Sequence, residues 1–303
     1  MSCLELRLEK ITDLMFSFYY GVHVSINLPD LIKQIEPIIQ SAGQAIMDFF
    51  RHDFQQREKS RGDFVTEADL VSQEILISGL TKLIPQAQII SEELANSSQL
   101  PTPNIPTSEY CWVIDPLDGT NNFRRGIPHF AISVALIKNK KPVLGVIYDP
   151  VLQDLFYAIY GQGIYYNHHK VNNLGVQKSF DNSSNLLNNQ VCNSDNLAEL
   201  NLFHNRLITT NIKEIYLLNL ELEGALLRKF GSSALDLAYL AMGWIDLVAY
   251  QGLYYWDFAA GELLVLEAQK QFHQVHLTNN WGGGQQILAG SEPLVTQMQS
   301  YIN

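Results

Sequence analysis

Residues 111–123, Cys111-Trp112-Val113-Ile114-Asp115-Pro116-Leu117-Asp118-Gly119-Thr120-Asn121-Asn122-Phe123, decide how the rest of the chain is read. An apolar run of strand type delivers Asp115, Pro116 is expected to stop the pairing because it has no N–H, and Asp118 follows three positions later. Gly119-Thr120 then opens a turn that can start a helix. Two carboxylates therefore meet one pocket, beside backbone N–H groups that point outward and suit a phosphate oxygen. Cations and an anion can share such a site. Asp-Pro and Asp-Gly are also ordinary turn pairs, and a capped turn fits this stretch taken alone. The acids elsewhere in the chain must decide.

Three segments carry those acids in order: Ser91-Glu92-Glu93, then Asp115-Pro116-Leu117-Asp118-Gly119-Thr120, then Trp256-Asp257-Phe258-Ala259-Ala260-Gly261. Together they resemble the signature segments of the inositol monophosphatase family, which are magnesium-dependent, lithium-sensitive phosphomonoesterases. The resemblance runs from residue 28 to the C-terminus and is weakest over 172–220. It implies hydrolysis of a small polyol or sugar phosphate, with inositol 1-phosphate as the default substrate, two or three Mg2+ ions as cofactor, and a homodimer. Carried onto matching positions, Glu92, Asp115, the Leu117 carbonyl, Asp118 and Asp257 become metal ligands, with Asp115 bridging two ions. Two metals about 3.5–4 Å apart act on both ends of an in-line displacement. Thr120, with Asp69 and Glu92, would activate the attacking water. Asp118, the Gly119 and Thr120 amides, Gly231, Ser232, Ser233, Tyr250 and Asp257 would touch the substrate.

Several of these residues have a second, structural reading. Asp69, three residues after Thr66, resembles the acid of a capping box. Asp257 sits at a helix start, where the dipole favours an acid. Gly231-Ser232-Ser233 reads equally as a strand-to-helix cap. Glu93 reads as structural.

Composition narrows the function classes. With 303 residues, 47% hydrophobic and 17% charged, the chain has ample length for a packed core. The net charge of −11, with no stripe of Lys and Arg, argues against nucleic acid or an anionic membrane as partner and suits a cation site better. Cys3, Cys111 and Cys192 are far apart and read as reduced packing residues in a cytoplasmic protein. Residues 1–28 read as an N-terminal extension, with an apolar stretch over 14–28 too short to span a bilayer; an anchor is the minority alternative.

The expected fold is a mixture of α+β and α/β, a layered αβαβα sandwich. An N-terminal half, 29–188, holds two helices and an antiparallel sheet; a C-terminal half, 189–303, alternates strands and helices. Apolar spacing predicts a helix over 29–50 that Pro37 kinks or restarts, and another following Thr66. Residues 88–91 read as a strand, 130–166 as an antiparallel meander, and 172–189 as the passage between halves. Beyond it come a strand at 190–192, a helix over 196–207, strands within 215–220 and 225–230, a helix over 234–242, a strand over 245–249, a helix over 256–269, strands at 271–275 and 286–289, and a last helix. Neither the Gly161-x-Gly163 turn nor Gly282-Gly283-Gly284 meets the context of a nucleotide loop.

One departure bears on substrate. Seven residues before Asp257, inositol-selective members of the resembled family place a glutamate that binds ring hydroxyls; this chain has Tyr250. Fructose 1,6-bisphosphate, histidinol phosphate and 3′-phosphoadenosine 5′-phosphate remain alternative substrates. A catalytically idle interaction protein is the alternative from another class, though no expected ligand is missing.

Overall fold

The computed structural model describes residues 26–60, 62–97, 108–172, 202–212, 220, 223–275 and 284–302. Among them no helix is long and apolar enough to cross a membrane.

Asn27 caps α1 (Leu28–Phe49), in which Leu31, Ile32, Ile35, Ile39, Ala42 and Ile46 recur at the helical period as one buried stripe. The helix runs unbroken through Pro37 rather than restarting there. Burial of Ile35 and Ile39 on either side outweighs the one backbone bond that proline lacks. The polar stretch that follows folds into a hairpin of β1 (Gln56–Ser60) and β2 (Asp63–Thr66), which sequence periodicity does not reveal. Next come α2 (Glu67–Leu83), which packs on α1, then β3 (Gln88–Ser91) and the short α3 (Glu92–Ser97).

The decisive stretch forms β4 (Tyr110–Asp118) and α4 (Thr120–Arg124). The meander follows as β5 (Ala131–Lys138), β6 (Lys141–Asp149), β7 (Asp154–Ile159), β8 (Gly163–Tyr166) and β9 (His169–Lys170). These strands make one sheet in sequence order from β3 to β9, antiparallel except for the parallel β3–β4 pair. The second half supplies β10 (Leu207–Thr210), β11 (Leu226–Arg228), α5 (Ser233–Met242), β12 (Leu247–Leu253), α6 (Tyr255–Glu267), β13 (Gln271–Val275), β14 (Gln285–Gly290) and α7 (Glu292–Ile302). Its sheet runs β11-β10-β12-β14-β13, with β10 parallel to both neighbours and β14 antiparallel to both of its own.

Leu207 opens β10 instead of closing the helix expected over 196–207, and residues 202–205 form turns. Pairing of Ile208 between Leu227 and Leu247 decides this locally ambiguous run. The strand expected at 190–192, most of the segment 215–220, Gly282, Gly283, Cys3, Cys192, the N-terminal extension and the boundary between the two expected halves lie outside the described residues.

Three cores show the layering. Trp112, Ile114, Ile132 and Val134 alternate with Cys111, Val113, Ala131 and Ala135 along β4 and β5; the first set packs on α1 and α2, the second on α5 and α6. Because both faces are covered, these strands are apolar at nearly every position. Val248, Ile287 and Ala289 join the α5–α6 core from the second sheet, whose other face, with Leu247, Ala249 and Leu288, meets Leu294, Val295 and Met298 of α7. The order is helices, sheet, helices, sheet, helix. Gly145 allows α6 its close approach, since a Cβ there would lie 2.6 Å from the Ala260 carbonyl oxygen. Truncating Leu76, fully buried on α2, to Ala would cost about 2–5 kcal/mol.

Candidate metal centre

The site is built at the end of β4. In a regular strand, residues three apart point to opposite faces. Asp115 pairs with Ser133 and Asp118 with Ala131, so three steps on β4 match two on β5, and the extra residue makes a β-bulge. The bulge turns both carboxylates to one side. Pro116 sits in this bulge, where its missing N–H is harmless, and pairing resumes at Asp118 rather than stopping at the proline. The Leu117 N–H donates to Asp115 Oδ1 at 3.0 Å, and Ser72 Oγ donates to the Pro116 carbonyl at 2.8 Å, which pins the bulge to α2.

Asp257, the third residue of α6, meets this pair from the other half of the chain. Oxygen atoms of Asp115, Asp118 and Asp257 lie within 4.8 Å of one another. Burial, first of all, and then Glu92, Asp118 and Asp257 drive the Asp115 pKa well above the usual carboxylate range. Burial, Glu92 and Asp118 do the same to Asp257, and burial lifts Asp118 to about 6 against the hydrogen bonds it receives. Among the described residues, no Lys, Arg or His forms an ion pair with any of the three. Converging, mutually repelling carboxylates without an ion-pair partner among the described residues fit a hard divalent ion such as Mg2+, which prefers carboxylates and carbonyls.

Other acids behave differently. Glu92 lines the same cavity as the three aspartates, but its Oε1 accepts from Lys59 Nζ at 2.6 Å, and Glu93 Oε1 accepts from the same ammonium at 2.8 Å. Burial works against the Lys59 charge, yet the two glutamates outweigh it and raise its pKa. Asp69 serves both of its expected partners. Its Oδ2 accepts the Thr66 N–H at 2.8 Å and the Thr66 hydroxyl at 2.5 Å, while Oδ1 accepts Thr120 Oγ1 at 3.2 Å. Asp257 likewise caps and converges: its Oδ2 accepts the Tyr254 N–H at 2.7 Å. The Thr120 hydroxyl also reaches the Leu117 carbonyl, at 3.0 Å.

Gly119, at φ +91°, is required where it stands, because a Cβ would lie 3.1 Å from the His129 carbonyl oxygen. With Thr120 it lines a polar cavity of about 180 Å³, together with Asp63, Phe64, Asn121 and Gly231. Asn122 ties the loops around that cavity, donating through Nδ2 to the carbonyls of His129 at 2.8 Å and Phe230 at 2.7 Å.

Two groups expected to contact substrate have partners inside the protein. Ser232 and Ser233 turn their hydroxyls to Asp118: Ser232 Oγ donates to Oδ2, which also accepts the Ala234 N–H at 2.9 Å, and Ser233 Oγ donates to Oδ1 at 3.1 Å. They hold an acid in place and leave Gly231 as the member of that loop in the cavity wall. Tyr250 is only 4% exposed, and its hydroxyl bonds to Asp236 and Thr209, away from the cavity. Asp236, fully buried, draws this phenol inward.

The family model of the inositol monophosphatase family matches residues 28–298. The chain belongs to that family. This family member is 36% identical over 249 residues to the protein named Nus factor SuhB of Escherichia coli K12, with 80% of this chain and 83% of that one covered. The like-named Pasteurella multocida protein is 36% identical over 218 residues, covering 72% and 74%. Among solved structures, the extragenic suppressor protein suhB of Bartonella henselae matches with TM-score 0.71 and 26% identity, over 90% of this chain and 98% of that one. An IMPase of Thermotoga maritima shares the fold, with TM-score 0.67 and 24% identity over 90% and 98% of the two chains.

Sequence reasoning missed Lys59, Asp63, Phe64, Asn121 and Asn122 in this inositol monophosphatase family member. The first three lie on a short two-stranded hairpin without apolar alternation. Asn121 and Asn122 stood in the quoted stretch, and their position just inside a helix start was the available signal.

Proposed function

We propose that this chain hydrolyses a phosphate monoester of a small polyol or sugar in a magnesium-dependent reaction, with inositol 1-phosphate as the default substrate. The observation that carries the reading is the convergence of the buried Asp115 and Asp118 with the half-buried Asp257, none of them in an ion pair among the described residues, next to Gly119 and Thr120. Glu92, Asp115, the Leu117 carbonyl, Asp118 and Asp257 would hold two or three ions. Bound there, the ions supply Lewis-acid polarisation of the phosphate and neutralise charge on the attacking and leaving oxygens.

The chain's own residues do the rest. Thr120 Oγ1 donates its one hydrogen to Asp69 Oδ1 or to the Leu117 carbonyl, and either way its oxygen presents a lone pair to the attacking water. The Gly119 and Thr120 N–H groups hold phosphate oxygens, where charge develops. Water's oxygen bonds to phosphorus and gives up one proton to Glu92, the ester P–O bond breaks, and the leaving alkoxide takes a proton from a second water, so that ester and water become alcohol and inorganic phosphate. Lithium inhibition, a homodimer and a cytoplasmic setting complete the reading as family expectations. The inward turn of Tyr250 weighs against tight selection of inositol, so fructose 1,6-bisphosphate, histidinol phosphate and 3′-phosphoadenosine 5′-phosphate belong in the same assay.

Phosphate release from these monoesters, with and without Mg2+ and Li+, tests the proposal. Magnesium-dependent release that lithium suppresses is expected; release unaffected by chelation, or none from any substrate, would overturn it. The name Nus factor, carried by the curated relatives, supports a second reading in which a macromolecular partner is bound beside or in place of turnover. A partner that binds Asp118→Asn as tightly as wild type would separate the two roles.

A further inference from the structure

Two buried polar atoms face each other behind the metal loop. His129 Nε2 lies 4.0 Å from Asp236 Oδ1, and neither atom has a hydrogen-bond partner among the described residues. A buried polar atom left unpaired costs about 1–3 kcal/mol, so two of them aimed at one another call for an explanation. The other carboxylate oxygen is engaged: Asp236 Oδ2 accepts the Thr209 hydroxyl at 2.9 Å and the Tyr250 hydroxyl. Only Oδ1 is left, and it faces the imidazole. Phe230 and Tyr239 hold that ring in place, with centroids 5.5 and 5.9 Å away.

The pair stands where the two supports of Asp118 meet. On one side, the His129 carbonyl accepts Asn122 Nδ2 and lies against Gly119, so this residue backs the turn that follows Asp118. On the other, Asp236 is the fourth residue of α5, whose start holds Asp118 through Ser232, Ser233 and the Ala234 N–H. Joining His129 to Asp236 closes a ring around that ligand.

One hydrogen is enough to join them. Burial raises the Asp236 pKa to about 7 against the two hydroxyls that donate to it, Asp118 adds to the rise, and burial lowers His129. Around the pair stand Tyr250 from β12, Asp118 from β4 and Tyr239 on α5 itself, none of them cationic. A neutral carboxyl beside a neutral imidazole is therefore the favoured form up to about pH 7. The carboxyl then donates from Oδ1, the imidazole accepts at Nε2, and an approach of about 1 Å gives an ordinary hydrogen bond.

We infer that His129 and Asp236 are positioning residues: the Asp236 carboxyl donates its hydrogen to His129 Nε2, and this clamp fixes the loops that hold Asp118 for its ion. The inference rests on the phosphatase reading for the use of that ion, while its test reads metal binding with no substrate present.

Calorimetric titration with Mg2+ compares wild type with three variants, each also melted in chelator to check the fold. His129→Phe keeps the ring packing and removes the acceptor, and it is expected to weaken Mg2+ binding about tenfold. Asp236→Asn, whose amide can donate to Nε2 while its carbonyl keeps the Thr209 and Tyr250 hydroxyls, is expected to stay within about twofold of wild type. His129→Gln, which can present an acceptor near the same point, should recover part of the loss. Unchanged Mg2+ affinity in His129→Phe, with or without a lower melting temperature, would make the residue a packing element and overturn the inference. An Asp236→Asn variant as weak as His129→Phe would do the same, since the carboxylate charge and not the shared hydrogen would then be at work. Wild type that binds Mg2+ yet releases no phosphate ends the phosphatase reading alone, and the variant comparison still decides the clamp. Wild type that binds no Mg2+ ends both.

Discussion

Two neighbouring groups of acids are treated in opposite ways. Glu92 and Glu93 have Lys59 between them, whereas among the described residues no ion pair reaches Asp115, Asp118 or Asp257. The first group is charge-paired as folded, and Glu92 stays in the cavity wall, where it can serve an ion as well. The second stores repulsion that an external ion relieves.

The sharpest way to break the contrast is Asp118→Asn. It should lower turnover by about 10²–10³-fold, read as phosphate release, while the metal-free variant melts no lower than wild type because a repelling charge is gone. Lys59→Met should do the reverse to its own group. It strands Glu92 and the buried Glu93, so a loss of about 3 kcal/mol in denaturant unfolding is expected, with magnesium recovering part of it.

The pH dependence sharpens the comparison further. Folded Asp118 keeps its proton to about pH 6, while an unfolded aspartate releases it near 3.8, so the folded chain binds more protons between those values. Metal-free stability should therefore fall as pH rises through that window, on the order of 2 kcal/mol. Thermal melting with chelator at pH 4.5 and 7 reads this, and Asp118→Asn should reduce the fall without abolishing it, since burial also raises Asp115, Asp257 and Asp69. The smallest effect lies far from both groups. Glu267 accepts the N–H groups of Gly161 and Gly163, each at 2.7 Å, and Glu267→Gln should cost about 1 kcal/mol in unfolding free energy with turnover unchanged.

The layered fold was legible because its signals are local and repeated. Continuous apolar strands with short turns predict the meander, and a regular apolar stripe predicts α1. Of the expected ligands, Asp115, Asp118 and Asp257 stand in segments that resemble a family, and the structure brings them together. What escaped was decided at a distance. Leu207-Ile208-Thr209-Thr210 becomes a strand because neighbours forty residues downstream and twenty residues downstream flank it. Tyr250 was expected among the substrate contacts, and its hydroxyl instead meets Asp236, fourteen residues earlier. The serines after Gly231 read as substrate contacts because nothing in their own sequence announces Asp118, more than a hundred residues before them.

The extra residue at Pro116 makes the geometry of two ligands a property of the main chain rather than of any rotamer. Deleting it would restore plain alternation, so Asp118 would swing to the far side of the sheet and the anion-holding turn would follow it. A single-residue shortening there should silence the protein more completely than any side-chain exchange, since no rearrangement of neighbours can return an acid to the wrong side of a strand.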